Sequence, residues 1–355
     1  MSNLNTTPKF YDGTKLLSMQ DIDGEKPVIY MVTSNRSAGK TTFFVRMLIK
    51  KFIDNGEKFC ILYRWKKELN DIARKVFTNV SWKFPGYSML DKKREKGNFC
   101  ELLLKKDDEK AVTCGYAIAI NGSDDIRKSS GELSSISRIF MDEFQSETNK
   151  YCPNEIEKFQ SIYTTIARGN GQQSRYVPIY MCSNPVSILN PYFSIMNVAS
   201  KLRKDTKFLK GKGWVLEQNL NDSARMAMTS SAFAKAMSGS NYIEYATDGK
   251  YLLDDNSFIE KPKNTPTTYI ATFIYNGQSI ALRQGMDDIF YFGGNIDDTY
   301  PLKIFVTNDD ATLNASSLRA NSGLMRLLRT YWDNSMVRFS DLQARECALR
   351  AIARL

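Results

Sequence analysis

From residue 28 to residue 50 the chain runs from an almost wholly apolar stretch, Val28-Ile-Tyr-Met-Val-Thr33, through Ser34-Asn-Arg-Ser-Ala-Gly39-Lys40-Thr41. It then enters a segment whose apolar residues Phe44, Val45, Leu48 and Ile49 recur at helical spacing. A buried strand, a tight loop ending in Gly-Lys-Thr and a helix, in that order, is the arrangement of a phosphate loop. In such a loop successive backbone N–H groups and the helix N-terminus cradle anionic oxygens. Gly-Lys-Thr by itself is common, so the flanking strand and helix carry the assignment. Gly39 lets the backbone approach closely, Lys40 reaches the β- and γ-phosphates of ATP, and Thr41 offers its hydroxyl to Mg2+. Ser34, Asn35, Arg36, Ser37, Ala38 and Thr42 complete the expected ATP contacts. Ser34 stands where the usual pattern has its first glycine. Arg36, an extra cation within the loop, is expected to touch a phosphate or to fold back onto a neighbouring subunit.

The same alternation continues to about residue 200. Short apolar runs at 59–63, 111–120, 136–141 and 176–182 are separated by helical patterns such as 154–167, and the first helix, 41–54, is stopped by Asn55-Gly56. Near-continuously apolar strands alternating with helices predict an α/β fold with a parallel sheet covered on both faces. The run at 136–141 leads straight into Asp142-Glu143. Asp142 at the carboxyl end of a parallel strand is the Walker B acid that orders the Mg2+ shell. Glu143 stands where ring ATPases place the base that polarises the attacking water. Without a phosphate loop upstream the pair would read as a surface turn. Arg168 closes a helix at a Gly-rich turn, which suits an arginine finger reaching a neighbour's γ-phosphate or a cation on the helix dipole. Asn184 follows a strand and precedes Pro185; it reads equally as a γ-phosphate sensor and as a turn residue.

Composition narrows the chemistry. The 355 residues contain no histidine, which removes Ser-His-Asp, Cys-His and His-based zinc or nuclease mechanisms. Six cysteines lack paired spacing, arguing against zinc and a disulfide framework. A net charge of +10 suits a polyanionic partner, or simply a solvated surface. Residues 1–11 are polar without a signal-peptide layout, and no run approaches the ~18 apolar residues of a membrane span. A soluble cytosolic protein is expected. The length favours two domains. Residues 1–202 read as the phosphate-loop domain and 203–255, of mixed composition, as a linker region. Residues 256–355 read as a second domain of strands and turns. There 269–275, Asn276-Gly277 and 279–283 form a hairpin signal with a type I′ turn, 290–292 extends the meander, and 316–329 and 340–354 read as two terminal helices.

Taken together, these motifs resemble the DNA-packaging ATPases of small short-tailed bacteriophages, of the phi-twenty-nine type. The resemblance rests on Asn35-Arg-Ser-Ala-Gly-Lys-Thr41, on Phe140-Met-Asp-Glu-Phe144 and, most specifically, on Ser183-Asn-Pro-Val-Ser-Ile-Leu-Asn-Pro-Tyr-Phe193. The spacing of Arg168 and the hairpin Phe273-Ile-Tyr-Asn-Gly277 also match, and most of the chain is covered. It implies a P-loop ASCE-type ATPase domain followed by a smaller α+β domain resembling an RNase H-like nuclease that has lost its catalytic site. Strand 268–275 carries no carboxylate, in keeping with that loss, and Asp287, Asp288, Asp297 and Asp298 read as turn residues. The resemblance further implies ATP and Mg2+ as cofactors and a homo-oligomeric ring, a pentamer. That ring would dock transiently on a capsid portal in the host cytoplasm, with an RNA or protein adaptor as one route of attachment. It would thread double-stranded DNA and would not remain in the mature virion; no membrane is involved. Arg64, Lys66 and Lys67 after the second strand, with Arg127 and Lys128 before the Walker B strand, resemble pore-facing basic segments. They are expected to grip DNA phosphates without reading bases. The run Lys92-Lys-Arg94 with Lys96 reads better as a solvated loop. Three rivals stay open here: a helicase- or recombination-type P-loop ATPase, a packaging enzyme that also cuts DNA, and a nucleotide-dependent scaffold in which Glu143 is idle.

Overall fold

The computed structural model describes residues 10–353 apart from 95–96, 127–128, 170–172, 199–200, 203–205, 253, 255–257 and 261–265. The chain divides into two compact units, Met1–Tyr192 with Leu202–Leu252, and Phe193–Lys201 with Leu253–Leu355.

The strands of the first unit are β1 (Ile29–Ser34), β2 (Lys58–Tyr63), β3 (Tyr87–Arg94), β4 (Phe99–Lys106) and β5 (Val112–Ala119), then β6 (Ile136–Asp142), β7 (Ile179–Ser183), β8 (Phe208–Gly211) and β9 (Trp214–Asn219). They form one sheet in the order β3-β4-β5-β2-β6-β7-β1-β9-β8. The central six, from β5 to β9, run parallel, while β3, β4 and β8 add antiparallel edges. The expected runs at 28–33, 59–63, 111–120, 136–141 and 176–182 correspond to the parallel strands β1, β2, β5, β6 and β7. Their interiors are buried almost without interruption, as a sheet covered on both faces requires. The first helix, Lys40–Asn55, ends at Gly56 with φ 69°, the left-handed stop expected of Asn-Gly. Its Phe44 stacks on Phe140 of β6 (5.6 Å between ring centroids) and on Tyr180 of β7 (5.5 Å). Full burial of one such ring contributes about 1.5–3 kcal/mol. It also fixes the start of the helix against the two strands that carry the rest of the site.

The expected linker is corrected. Within 203–255 lie β8, β9 and the helices Asp222–Thr229, Ala232–Ala236 and Asn241–Asp248. β9 pairs in parallel with β1 along Ile29–Ser34. Its six residues are too short to show a period, and its hydrogen-bond partner lies some 180 residues upstream, so local sequence carries no sign of the pairing. The hairpin of β3 and β4 carries no clear signal for a related reason: Lys92, Lys93 and Arg94 read as a solvated loop, yet they end β3 and pair with Glu101, Cys100 and Phe99 of β4.

The second unit holds β10 (Thr267–Tyr275), β11 (Gln278–Gly285), β12 (Phe290–Gly293), β13 (Lys303–Phe305), β14 (Ser316–Ser317) and β15 (Val337–Phe339). Their order is β14-β13-β10-β11-β12-β15. Asn276 and Gly277 take φ of 51° and 69°, the left-handed pair that a type I′ turn between β10 and β11 needs. The terminal helices are Ser322–Asp333 and Leu342–Ala353. The first begins six residues later than expected because Ser316–Ser317 pairs with β13 instead. Phe273, Phe292, Phe339, Met325, Leu328 and Cys347 form the core of this unit. All six cysteines are buried and free. Among the described residues no helix is long and apolar enough to cross a membrane.

A candidate nucleotide site at the carboxyl ends of the central strands

β6, β7 and β1 lie side by side and parallel, so their carboxyl ends open onto one edge of the sheet, where ligands of open α/β sheets bind. After β1 the loop turns through left-handed conformations at Ser37 (φ 61°) and Gly39 (φ 92°). Such turns gather backbone N–H groups into an anion-binding nest. Lys40 is only 7% exposed; its ammonium donates to the Ser34 carbonyl (3.0 Å), the Asn35 carbonyl (3.1 Å) and Asn184 Oδ1 (3.1 Å). Burial lowers its pKa, and the nearby Asp142 carboxylate is among the charges that oppose the shift. Asn184 thus joins the phosphate loop from the end of β7.

The two sequence motifs meet. Thr41 Oγ1 donates to Asp142 Oδ2 at 2.8 Å, across 101 residues of chain. Asp142 Oδ1 accepts from the Glu143 N–H (3.0 Å) and from Cys182 Sγ (3.0 Å), its neighbour in register on β7. Among the described residues no three His, Cys, Asp or Glu gather to hold a metal alone. A hydroxyl beside one carboxylate instead fits Mg2+, which takes few protein oxygens and shares its shell with water and nucleotide phosphates. Glu143, next in the chain, is solvent-accessible and sits at φ 52°. That left-handed conformation costs a non-glycine residue about 1 kcal/mol or more and is typical of functional sites. Enclosure by protein, then the carboxylates of Asp142 and Glu147, raise its pKa above the ordinary glutamate value.

Several supporting residues carry no signal in the sequence. Gln145, 1% exposed, accepts from the N–H groups of Val186 and Ser187 at 2.9 Å each, tying the Walker B loop to the loop after β7. Asn35 donates to the carbonyls of Asn221 (3.1 Å) and Thr247 (3.3 Å) and accepts from the Asn221 N–H (2.9 Å). The former linker is therefore a wall of the phosphate loop. Arg36 leans onto that wall: it pairs with Glu147, and its guanidinium lies 5.6 Å from the Tyr242 ring centroid and 6.0 Å from that of Tyr245. All three partners belong to its own chain.

Among the expected DNA contacts, Arg64 is corrected. It is 8% exposed, and its guanidinium is held by Glu155 (2.9 and 3.0 Å) and by the carbonyl of Phe144 (2.9 Å), beneath the Tyr151 ring at 4.9 Å. Burial works against its charge, but Glu155 overrides that and raises its pKa. A side chain so enclosed cannot lie on a DNA backbone; it braces the main chain that follows Asp142. Removing one partner of a buried ion pair costs about 3–5 kcal/mol, so Arg64→Ala is expected to lower unfolding free energy by that amount in a denaturant titration. A change within about 0.5 kcal/mol, typical of surface positions, would return Arg64 to the DNA-contacting set. Lys66 and Lys67, in the single turn Lys66–Leu69, are exposed. Arg127 and Lys128 lie outside the described residues. Arg168 ends the helix Glu155–Ala167 and is exposed, its Nε donating to the Thr164 carbonyl at 3.1 Å.

A lysine-bearing loop after β1, a carboxylate two strands away and a polar residue from the end of the strand between them form an arrangement of P-loop type. The sequence model of the family described as Podovirus DNA encapsidation protein (Gp16) matches residues 7–354. The chain belongs to that family. The DNA packaging proteins of Bacillus phages PZA and phi29 are each 24% identical to it over 344 residues, 96% of both chains. That of Bacillus phage B103 is 26% identical over 261 residues, covering 72% of this chain and 74% of the relative. The fold resembles a chain of the bacteriophage Phi-29 viral genome packaging motor assembly, with a TM-score of 0.69 at 24% identity, over 98% of this chain and 99% of that one. The Phi-28 gp11 DNA packaging motor matches with a TM-score of 0.52 at 15% identity over 98% and 99% of the two chains.

Proposed function

We propose that this chain is the ATP-hydrolysing subunit of a homo-oligomeric ring that drives double-stranded viral DNA through a capsid portal into a preformed shell. The observation that carries the reading is the hydrogen bond between Thr41 and Asp142, which unites the phosphate loop and the Walker B acid at one point. Membership of a DNA encapsidation family supplies the substrate and setting. The interposed strand β7, between the loop strand and the acid strand, supports an ASCE-type arrangement.

In this mechanism the loop N–H groups and Lys40 bind the triphosphate, and Thr41 with Asp142 would hold Mg2+, which would supply neutralisation of the phosphate charge. Glu143 orients the attacking water and accepts its proton. Its accessible edge lets water reach it. Asn184 serves as the γ-phosphate sensor, a role its hydrogen bond to Lys40 supports. Arg168 of a neighbouring subunit completes the site. Lys66 and Lys67, with Arg127 and Lys128, grip the duplex by its phosphates. A pentameric ring, docked on the portal directly or through an RNA or protein adaptor and working in the host cytoplasm, accommodates these roles.

The second unit reads as an RNase H-like domain that no longer cuts. An antiparallel β10-β11-β12 meander with β13 parallel to β10 supports the topology. Asp287 and Asp288 accept hydrogen bonds from Tyr291 (2.6 Å) and Tyr331 (2.8 Å), and Asp297 caps Thr299.

ATP hydrolysis measured with DNA, with and without purified empty capsids, tests the whole reading. A rate that rises further when capsids are added is expected. Equal stimulation by DNA alone would assign the chain to the helicase-like remodelling ATPases instead.

A further inference from the structure

We propose that Phe10, just ahead of the phosphate-loop strand, is the platform on which the base of the bound nucleotide stacks. The inference rests on the reading of the Lys40 loop as a nucleoside-triphosphate site and adds what holds the other end of the ligand.

The direction of the nucleotide follows from the strand order. Asp142 at the end of β6 and Asn184 just after β7 mark the γ-phosphate end, and both lie on one side of β1. The rest of the ligand therefore leaves across the opposite side of β1, toward β9. Residues 10–13 occupy that side. The Tyr11 N–H donates to the Ala38 carbonyl of the loop at 2.7 Å, and the Tyr11 phenol donates to Glu217 Oε2 of β9 at 2.7 Å. The Tyr11 ring meets Phe43, in the first turn of the phosphate-loop helix, edge-on at 5.5 Å.

With Tyr11 pinned at backbone, ring and hydroxyl, Phe10 has little freedom in where it sits. A Cβ placed on Gly39 would come within 3.3 Å of Phe10 Cβ and Cδ1, so the side chain lies against the glycine that precedes Lys40. Yet Phe10 is 69% exposed. A large apolar side chain fixed beside the phosphate cradle and left open to solvent gains nothing from folding alone. Stacking a nucleobase on it recovers that surface, and aromatic rings do this with any base, since every base has a π-face. The platform therefore recognises a nucleoside triphosphate as a class and does not choose among bases. Gly39 is suited to this place by its left-handed φ of 92°, and a Cβ there would press against Phe10 at 3.3 Å.

Calorimetric titration of the full chain with MgATP and, separately, with inorganic tripolyphosphate tests the proposal. Phe10→Ala is expected to weaken ATP binding about 5- to 150-fold, the range of one base–aromatic stack, and to leave tripolyphosphate affinity unchanged. Phe10→Tyr should keep both. ATP affinity within twofold of wild type in Phe10→Ala overturns the platform. So does an equal loss for both ligands, which would make Phe10 a prop for the loop. Should wild-type protein bind neither ligand, the phosphate site itself is refuted and the platform falls with it.

Discussion

Arg168→Ala subunits are expected to bind ATP with near wild-type affinity and to hydrolyse it about 10³–10⁵-fold more slowly, the loss typical of a missing arginine finger. Arg168 stands at the end of a helix whose other end, Glu155, is clamped by Arg64 to the main chain around Glu143 and Phe144. Its base is thus well positioned, while among the described residues its exposed guanidinium donates to the Thr164 carbonyl. Such a hydrogen bond contributes about 1 kcal/mol. A charge-assisted contact to a phosphate in an enclosed site exceeds that, so extending Arg168 toward a neighbour costs little. Mixed rings decide whether the residue acts in trans. In a ring of Arg168→Ala and Glu143→Gln subunits, some interfaces combine an intact Glu143 with an intact Arg168 from next door, and part of the activity returns. Mixtures as inactive as either variant alone would place Arg168 in its own subunit's site or outside catalysis.

The Glu143→Gln substitution should leave ATP and Mg2+ binding intact and reduce turnover by about 10²–10⁴-fold, the usual contribution of a positioned base. Gln keeps the size and polarity of the side chain, so the strained backbone at φ 52° and the Glu143 N–H bond to Asp142 persist. Only the proton acceptor is lost. The effect should appear in kcat in single-turnover assays, with nucleotide affinity measured separately. Wild-type turnover in this variant would leave Glu143 idle and favour the scaffold reading, in which nucleotide binds without being cleaved.

Not every part of the site was equally legible. The phosphate loop and the acid pair show because each chemistry requires particular residue types at fixed local spacing: Gly39, Lys40 and Thr41 in one turn, Asp142 and Glu143 at one strand end. Arg64 misled because a basic residue followed by two lysines reads as one surface patch. Its partner Glu155 lies 91 residues away, and burial of that pair separates it from the exposed Lys66 and Lys67. Gln145 looked like any polar residue until the loop after β7 was placed over it.

Sequence alone determined the Gly39-Lys40-Thr41 loop between strand and helix, the strand that ends at Asp142, the alternation that builds a parallel sheet and the type I′ hairpin of the second unit. Each is written in contiguous residues whose backbone preferences and polarity act locally. Only the tertiary structure decided that Asn221 and Thr247 wall the phosphate loop, that β9 flanks β1, that Arg64 is a brace and that Phe10 lies beside Gly39. These depend on pairings between distant segments, and hydrogen bonds between parallel strands or buried charges impose no periodicity on either sequence they join.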